Sequence, residues 1–76
     1  MAKQAGNRLG DERRKREWKQ EDLAAASGIS VPMISRYETG AAFPQPDNID
    51  KLAAAFEVAA DEIFRWLREP SEGAAA

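Results

Sequence analysis

Neither cysteine nor histidine occurs anywhere in the 76 residues. Without cysteine there is no disulfide framework and no thiolate zinc site. Without histidine the commonest general base, the commonest metal ligand and the physiological-pH switch are all missing. Long apolar runs are missing too. The longest, residues 52–56, has five members, against the roughly 20 needed to span a bilayer. No apolar segment follows Lys3, so no secretory signal is read at the start, and the expectation is a soluble, cytoplasmic chain with no membrane partner. Bulky apolar side chains are also scarce. Apolar residues make up 43% of the chain, but 15 of them are alanine and only 18 are larger. That is thin for a sheet sandwich and sufficient for a small helical bundle, where alanine lets helices approach closely.

The absences extend to catalytic machinery. No Gly-rich phosphate loop, serine elbow or metal cluster is legible. The carboxylate pairs Asp47 with Asp50 and Asp61 with Glu62 fall at helix starts, where the helix dipole explains them. The chain is therefore read as no enzyme, with no catalytic residue, no metal and no cofactor.

What is present is an uneven charge. The net charge is −2, yet residues 1–20 hold seven basic and three acidic side chains, a local +4. A basic front on an acidic chain is able to meet a polyanion with one face, or to form a solvated basic helix that touches nothing.

Gly28, Gly40, Pro44, Pro46 and Pro70 cut the chain into helix-length pieces, and no segment shows the alternation of a strand. The pattern predicts helices over residues 7–17 and 20–27, a third from a Ser30 cap to Thr39, a fourth opened by Pro46, and a fifth opened by Asp61 and Glu62. Leu9, Trp18, Leu23, Ala24, Ile29, Ile34, Tyr37, Ile49, Leu52, Ala53, Phe56, Ile63, Phe64 and Leu67 are the expected core. Residues 1–6 and 70–76 are expected to be flexible ends around a domain of residues 7–69. Pro32 disfavours helical geometry at Val31, which predicts a third helix starting one residue late, with Val31 as a poor cap in place of Ser30.

Residues 20–40 carry the most specific pattern: a short helix, a turn at Gly28, and a second short helix ending at Gly40. Two helices joined by a tight glycine turn are the geometry that presents the second helix to a major groove. Over residues 9–67 the chain resembles the helix-turn-helix domain of the phage repressor and Cro family. The residues carrying the resemblance are Leu9, Arg13, Gln20-Glu21-Asp22-Leu23-Ala24, Gly28-Ile29-Ser30, Ile34-Ser35-Arg36, Glu38 and Gly40. Further along they are Pro44, Ile49, Leu52-Ala53, Val58 and Asp61-Glu62-Ile63-Phe64.

The resemblance implies an all-α, compact five-helix bundle that binds double-stranded DNA. It implies DNA contacts from Lys19, Gln20, Ser30, Val31, Pro32, Met33, Ser35, Arg36 and Gly40. Arg36 is the expected base reader, since its planar fork matches guanine O6 and N7; the alternative is a surface arginine paired with a carboxylate. Gln20 is expected near a phosphate and the first base. Val31, Pro32 and Met33 are apolar where polar readers are common, suited to thymine methyls or to little sequence reading at all. Arg13 and Glu38 match a pair that the family buries between the first and third helices. Trp66 lies at the edge of the apolar arc of the last helix, as a half-buried core residue or a contact in a homodimer.

Several positions depart from the family pattern. Glu17 replaces a glycine, Lys19 and Ala59 replace capping residues, and Ala41-Ala42-Phe43 replaces a basic loop. Phe43 is left either to pack beneath that loop or to meet a partner. The reading is a small DNA-binding transcriptional regulator, expected to be a repressor that binds an inverted-repeat operator as a homodimer, with control by dimer concentration or a regulatory protein partner. The alternative is a protein-interaction module, such as an antitoxin or bridging factor, on the same five helices.

Overall fold

The computed structural model describes residues 6–72. Five helices follow in order: α1 (Arg8–Lys15), α2 (Gln20–Ser27), α3 (Val31–Thr39), α4 (Pro46–Phe56) and α5 (Ala60–Arg68). The all-α expectation holds.

Their ends follow from single residues. Asn7 Oδ1 accepts from the Leu9 N–H at 3.1 Å and caps α1. This helix stops at Lys15, short of the expected residue 17, because the chain turns left-handed at Glu17, φ +59°. Lys19 has no acceptor to offer as a cap; the Asp22 carboxylate instead accepts from the Lys19 N–H at 2.8 Å. Gly28 (φ +79°) and Gly40 (φ +84°) close α2 and α3 in the left-handed region that glycine tolerates. Ser30 Oγ accepts from the Met33 N–H at 3.4 Å, so α3 is capped by Ser30 and starts at Val31. The late start expected from Pro32 does not occur. Proline sits in the first turn, where its missing N–H has no intrahelical partner to lose.

Each helix sends side chains to one core. Leu9, Leu23, Ile34, Ile49, Leu52 and Ile63 are fully buried, with Ile29, Tyr37, Phe56 and Trp66 around them. The fourth helix packs on α2 and α5, the first on α3 and α5, and α2 on α3.

On α5 the buried face is rotated from the expected one. Ile63 and Trp66 are buried, whereas Phe64 and Leu67 are partly exposed. The Trp66 ring meets Phe56 edge-on, with centroids 5.1 Å apart, and the Arg16 guanidinium lies over both rings. With 4% of its surface exposed, Trp66 has no face to give a second copy, which corrects its assignment to a dimer contact.

The ends also differ from expectation. Asn7 and Pro70 form an antiparallel bridge, Arg8 N–H donates to Glu69 O, and Ser71 N–H donates to Gly6 O. The Asp11 carboxylate accepts from Ser71 Oγ and from the Glu72 N–H, both at 2.7 Å. Pro70, Ser71 and Glu72 are thus tied to α1 rather than forming a flexible tail. The remaining parts of the expected flexible ends, residues 1–5 and 73–76, lie outside the described residues.

Candidate nucleic-acid interface

The third helix is held by its inner face and its C-terminal turn. Ile34 and Tyr37 are buried, and the Tyr37 hydroxyl accepts from Asn48 Nδ2 of α4 at 2.8 Å. At its C-terminus, Asn7 Nδ2 donates to Tyr37 O at 2.8 Å and Asn7 N–H to Glu38 O at 3.1 Å. Carbonyls left without intrahelical partners are thereby satisfied. One asparagine therefore caps α1 and clamps the end of α3.

Arg13 crosses from α1 to the last turn of α3. Its Nε donates to Glu38 Oε2 at 2.7 Å and its Nη2 to Glu38 Oε1 at 3.2 Å, while Nη1 donates to Trp18 O at 2.7 Å. Both side chains are more than nine-tenths buried. Gly10 makes room for this approach, since a Cβ there would stand 3.1 Å from Glu38 Oε1. Gln20 joins the pair, its Nε2 donating to Glu38 Oε1 at 3.2 Å. This side chain, expected near a phosphate, thus has one amide hydrogen engaged on a carboxylate.

The outer side of the two-helix unit holds the other expected contacts. Lys19, Ser30, Pro32, Arg36 and Gly40 are exposed; Gln20, Val31, Met33 and Ser35 are partly so. Met33 packs against the core edge, and Ser30 Oγ is engaged as the cap. Lys19, Gln20 and Val31 line a shallow depression with Arg13 and Glu21, at the start of both α2 and α3.

Ion pairing decides which cations are available. Glu12 collects three of them, Arg8 at 2.8 Å, Lys15 at 3.0 Å and Arg16 at 3.2 Å. Arg14 pairs with Asp11, Arg65 with Glu62, and Arg13 with Glu38. Burial pushes the Glu12 carboxyl up, but the hydrogen bonds from Lys15, Arg16 and Arg8 outweigh it and hold its pKa below the ordinary value. Among the described residues, the cations with no ion-pair partner are Lys19, Arg36, Lys51 and Arg68. The basic side chains of residues 8–16 are therefore all engaged by carboxylates, three of them sharing Glu12, and two of the four unpaired cations stand on the α2–α3 face.

Sequence reasoning missed Asn7 and the Glu12 hub. Both left signals: asparagine just ahead of Leu9 is a capping choice, and Glu12 stands four from Arg8 and Arg16 and three from Lys15.

A family model described as helix-turn-helix matches residues 9–63 of the chain. The chain is also similar to the cryptic phage CTXphi transcriptional repressor RstR of Vibrio cholerae serotype O1 (strain ATCC 39315 / El Tor Inaba N16961). The two are 32% identical over 66 residues, a stretch covering 86% of this chain and 59% of the relative. The chain thus spans about three-fifths of the relative's length.

Proposed function

The chain belongs to the helix-turn-helix family of DNA-binding, repressor-like proteins, and from that premise we propose that it is a sequence-specific transcriptional repressor. It binds double-stranded DNA as a homodimer in the cytoplasm, one α3 in each of two successive major grooves. The operator is an inverted repeat whose half-sites lie about 34–36 Å apart centre to centre.

The observation that carries this reading is the distribution of unpaired charge. Five of the six basic side chains at residues 8–16 and 65 serve carboxylates within their own or a neighbouring turn, and Arg13 serves Glu38 across helices. Arg36, by contrast, is exposed on the outer side of a helix clamped at its C-terminal end, and no carboxylate engages it among the described residues. A guanidinium presented this way is suited to a bidentate bond with guanine O6 and N7. Lys19 stands where a phosphate would meet the start of α2, a position that fixes register without reading sequence.

The test is selection of bound duplexes from a random pool, followed by affinity measurements at two salt concentrations. The expected result is a palindromic consensus containing G·C pairs at symmetric positions, with affinity falling as salt rises. If the folded protein enriches no sequence and binds no duplex at low salt, the interaction-module reading replaces this one.

A further inference from the structure

Arg36 stands in the last turn of α3, and the two carbonyls that follow it are held from outside the helix. Asn7 Nδ2 donates to Tyr37 O at 2.8 Å and Asn7 N–H to Glu38 O at 3.1 Å. The carbonyl of Arg36 itself accepts from the Ala42 N–H at 3.2 Å and from Thr39 Oγ1 at 3.3 Å. The orientation of the turn that carries the guanidinium is therefore tied to where Asn7 sits.

Asn7 is fixed in turn by the segment that follows α5. Arg8 N–H donates to Glu69 O and Ser71 N–H to Gly6 O, both at 3.1 Å, on either side of the Asn7–Pro70 bridge. Side chains reinforce the tie: Arg8 Nη1 donates to Glu69 Oε1 at 2.8 Å, and Asp11 accepts from Ser71 Oγ and the Glu72 N–H, each at 2.7 Å. Glu69, Pro70, Ser71 and Glu72 are partly or fully exposed, and none belongs to the apolar core. Surface hydrogen bonds of this kind open locally, at less cost than unfolding the whole domain.

We propose that Asn7 is a positioning residue for operator reading and that residues 69–72 act through it, as a clasp whose closed state holds the Arg36 turn in place. With the clasp open, the turn is in its reading orientation for only part of the time, and operator affinity falls by that fraction. Random duplex is bound through phosphate, which does not require that orientation. Whatever displaces residues 69–72 thus lowers operator affinity without touching the reading face. The coupling is reciprocal, so a bound operator closes the clasp. The proposal rests on the DNA-binding reading given above and adds a control element to it.

The test combines three measurements on the full chain: circular dichroism, amide hydrogen exchange, and affinity for a selected operator and a random duplex at one salt concentration. Asn7→Ser keeps an oxygen to cap α1 but has no amide to offer Tyr37 O, which retains its bond from the Gly40 N–H. Ser71→Pro removes the N–H given to Gly6 O and the hydroxyl given to Asp11, and leaves α3 and Asn7 unaltered. Both variants are expected to keep their helix content and to lose operator affinity on the order of tenfold, with random-duplex affinity changed less than about twofold. Ser71→Thr, which keeps both groups, is expected to bind like the wild type. Exchange at the Ala42 N–H, which reports on the reading turn, is expected to quicken in Ser71→Pro. In the wild type, operator and not random duplex is expected to slow exchange at the Arg8 N–H, and Asn7→Ser is expected to abolish that protection.

If folded Ser71→Pro binds the operator like the wild type, or exchange at Ala42 is unchanged, the clasp does not reach the reading turn. The proposal then falls while the DNA-binding reading stands. If the wild type selects no operator and binds no duplex, the DNA-binding reading is lost and this proposal with it.

Discussion

Arg13 lies fork to fork against Glu38, Nε on Oε2 at 2.7 Å and Nη2 on Oε1 at 3.2 Å, joining the first helix to the last turn of the third. The pair is shielded from water and its remaining valences are met by Trp18 O and Gln20 Nε2. Such a pair orients α3 as much as it stabilises the fold. Arg13→Ala or Glu38→Ala leaves the other charge buried and unpaired, at a cost of about 3–5 kcal/mol. A domain of this size has roughly 4–11 kcal/mol in all. Thermal unfolding of either variant is expected to shift down by 12 °C or more, taking about 4–8 °C per kcal/mol.

Glu17 is the opposite case, a residue at odds with its backbone. It holds φ +59° between α1 and α2, is exposed, and takes part in no side-chain hydrogen bond among the described residues. Glycine adopts that conformation without the Cβ penalty. Glu17→Gly is expected to stabilise the fold by about 1 kcal/mol, visible as a higher melting temperature with helix content unchanged.

Glu12 gives the fold an acid limit. Its pKa is lowered in the folded state, so its contribution to stability is complete above the ordinary glutamate value, about 4.3, and disappears as pH falls through the lowered one. Glu12→Gln is expected to be less stable than the wild type at neutral pH, and the gap is expected to close below about pH 4. Urea unfolding at a series of pH values measures that gap directly.

Lys19 is expected to act through phosphate. Lys19→Ala should weaken binding to every duplex by a similar factor and reduce the slope of log affinity against log salt by about one. Fluorescence anisotropy on a selected and a random duplex, each over a salt series, checks both parts.

Helix ends were legible because single residues set them: Ser30 as a cap, Gly28 and Gly40 as left-handed stops, Pro46 in a first turn. Which edge of α5 is buried was not legible. Ile63 and Leu67 centre an arc with Phe64 on one side and Trp66 on the other, and periodicity treats those sides alike. The choice is made by Phe56 and Arg16, which receive the indole from other elements. Counting charge over residues 1–20 likewise gave a basic face where the spacing of Glu12 and Asp11 produces internal pairs. The position of Arg36 was readable from its motif; that no carboxylate engages it among the described residues was not.

The most direct measurement concerns Arg36: the affinity of the wild type and of Arg36→Ala for a selected operator and for random duplex, at one salt concentration. The expected loss is about 1–3 kcal/mol on each half-site of the operator, set by one bidentate base contact, with random-duplex affinity changed less than about twofold. Equal losses on both duplexes would place Arg36 on the phosphate backbone, and no loss on either would remove α3 as the reading element.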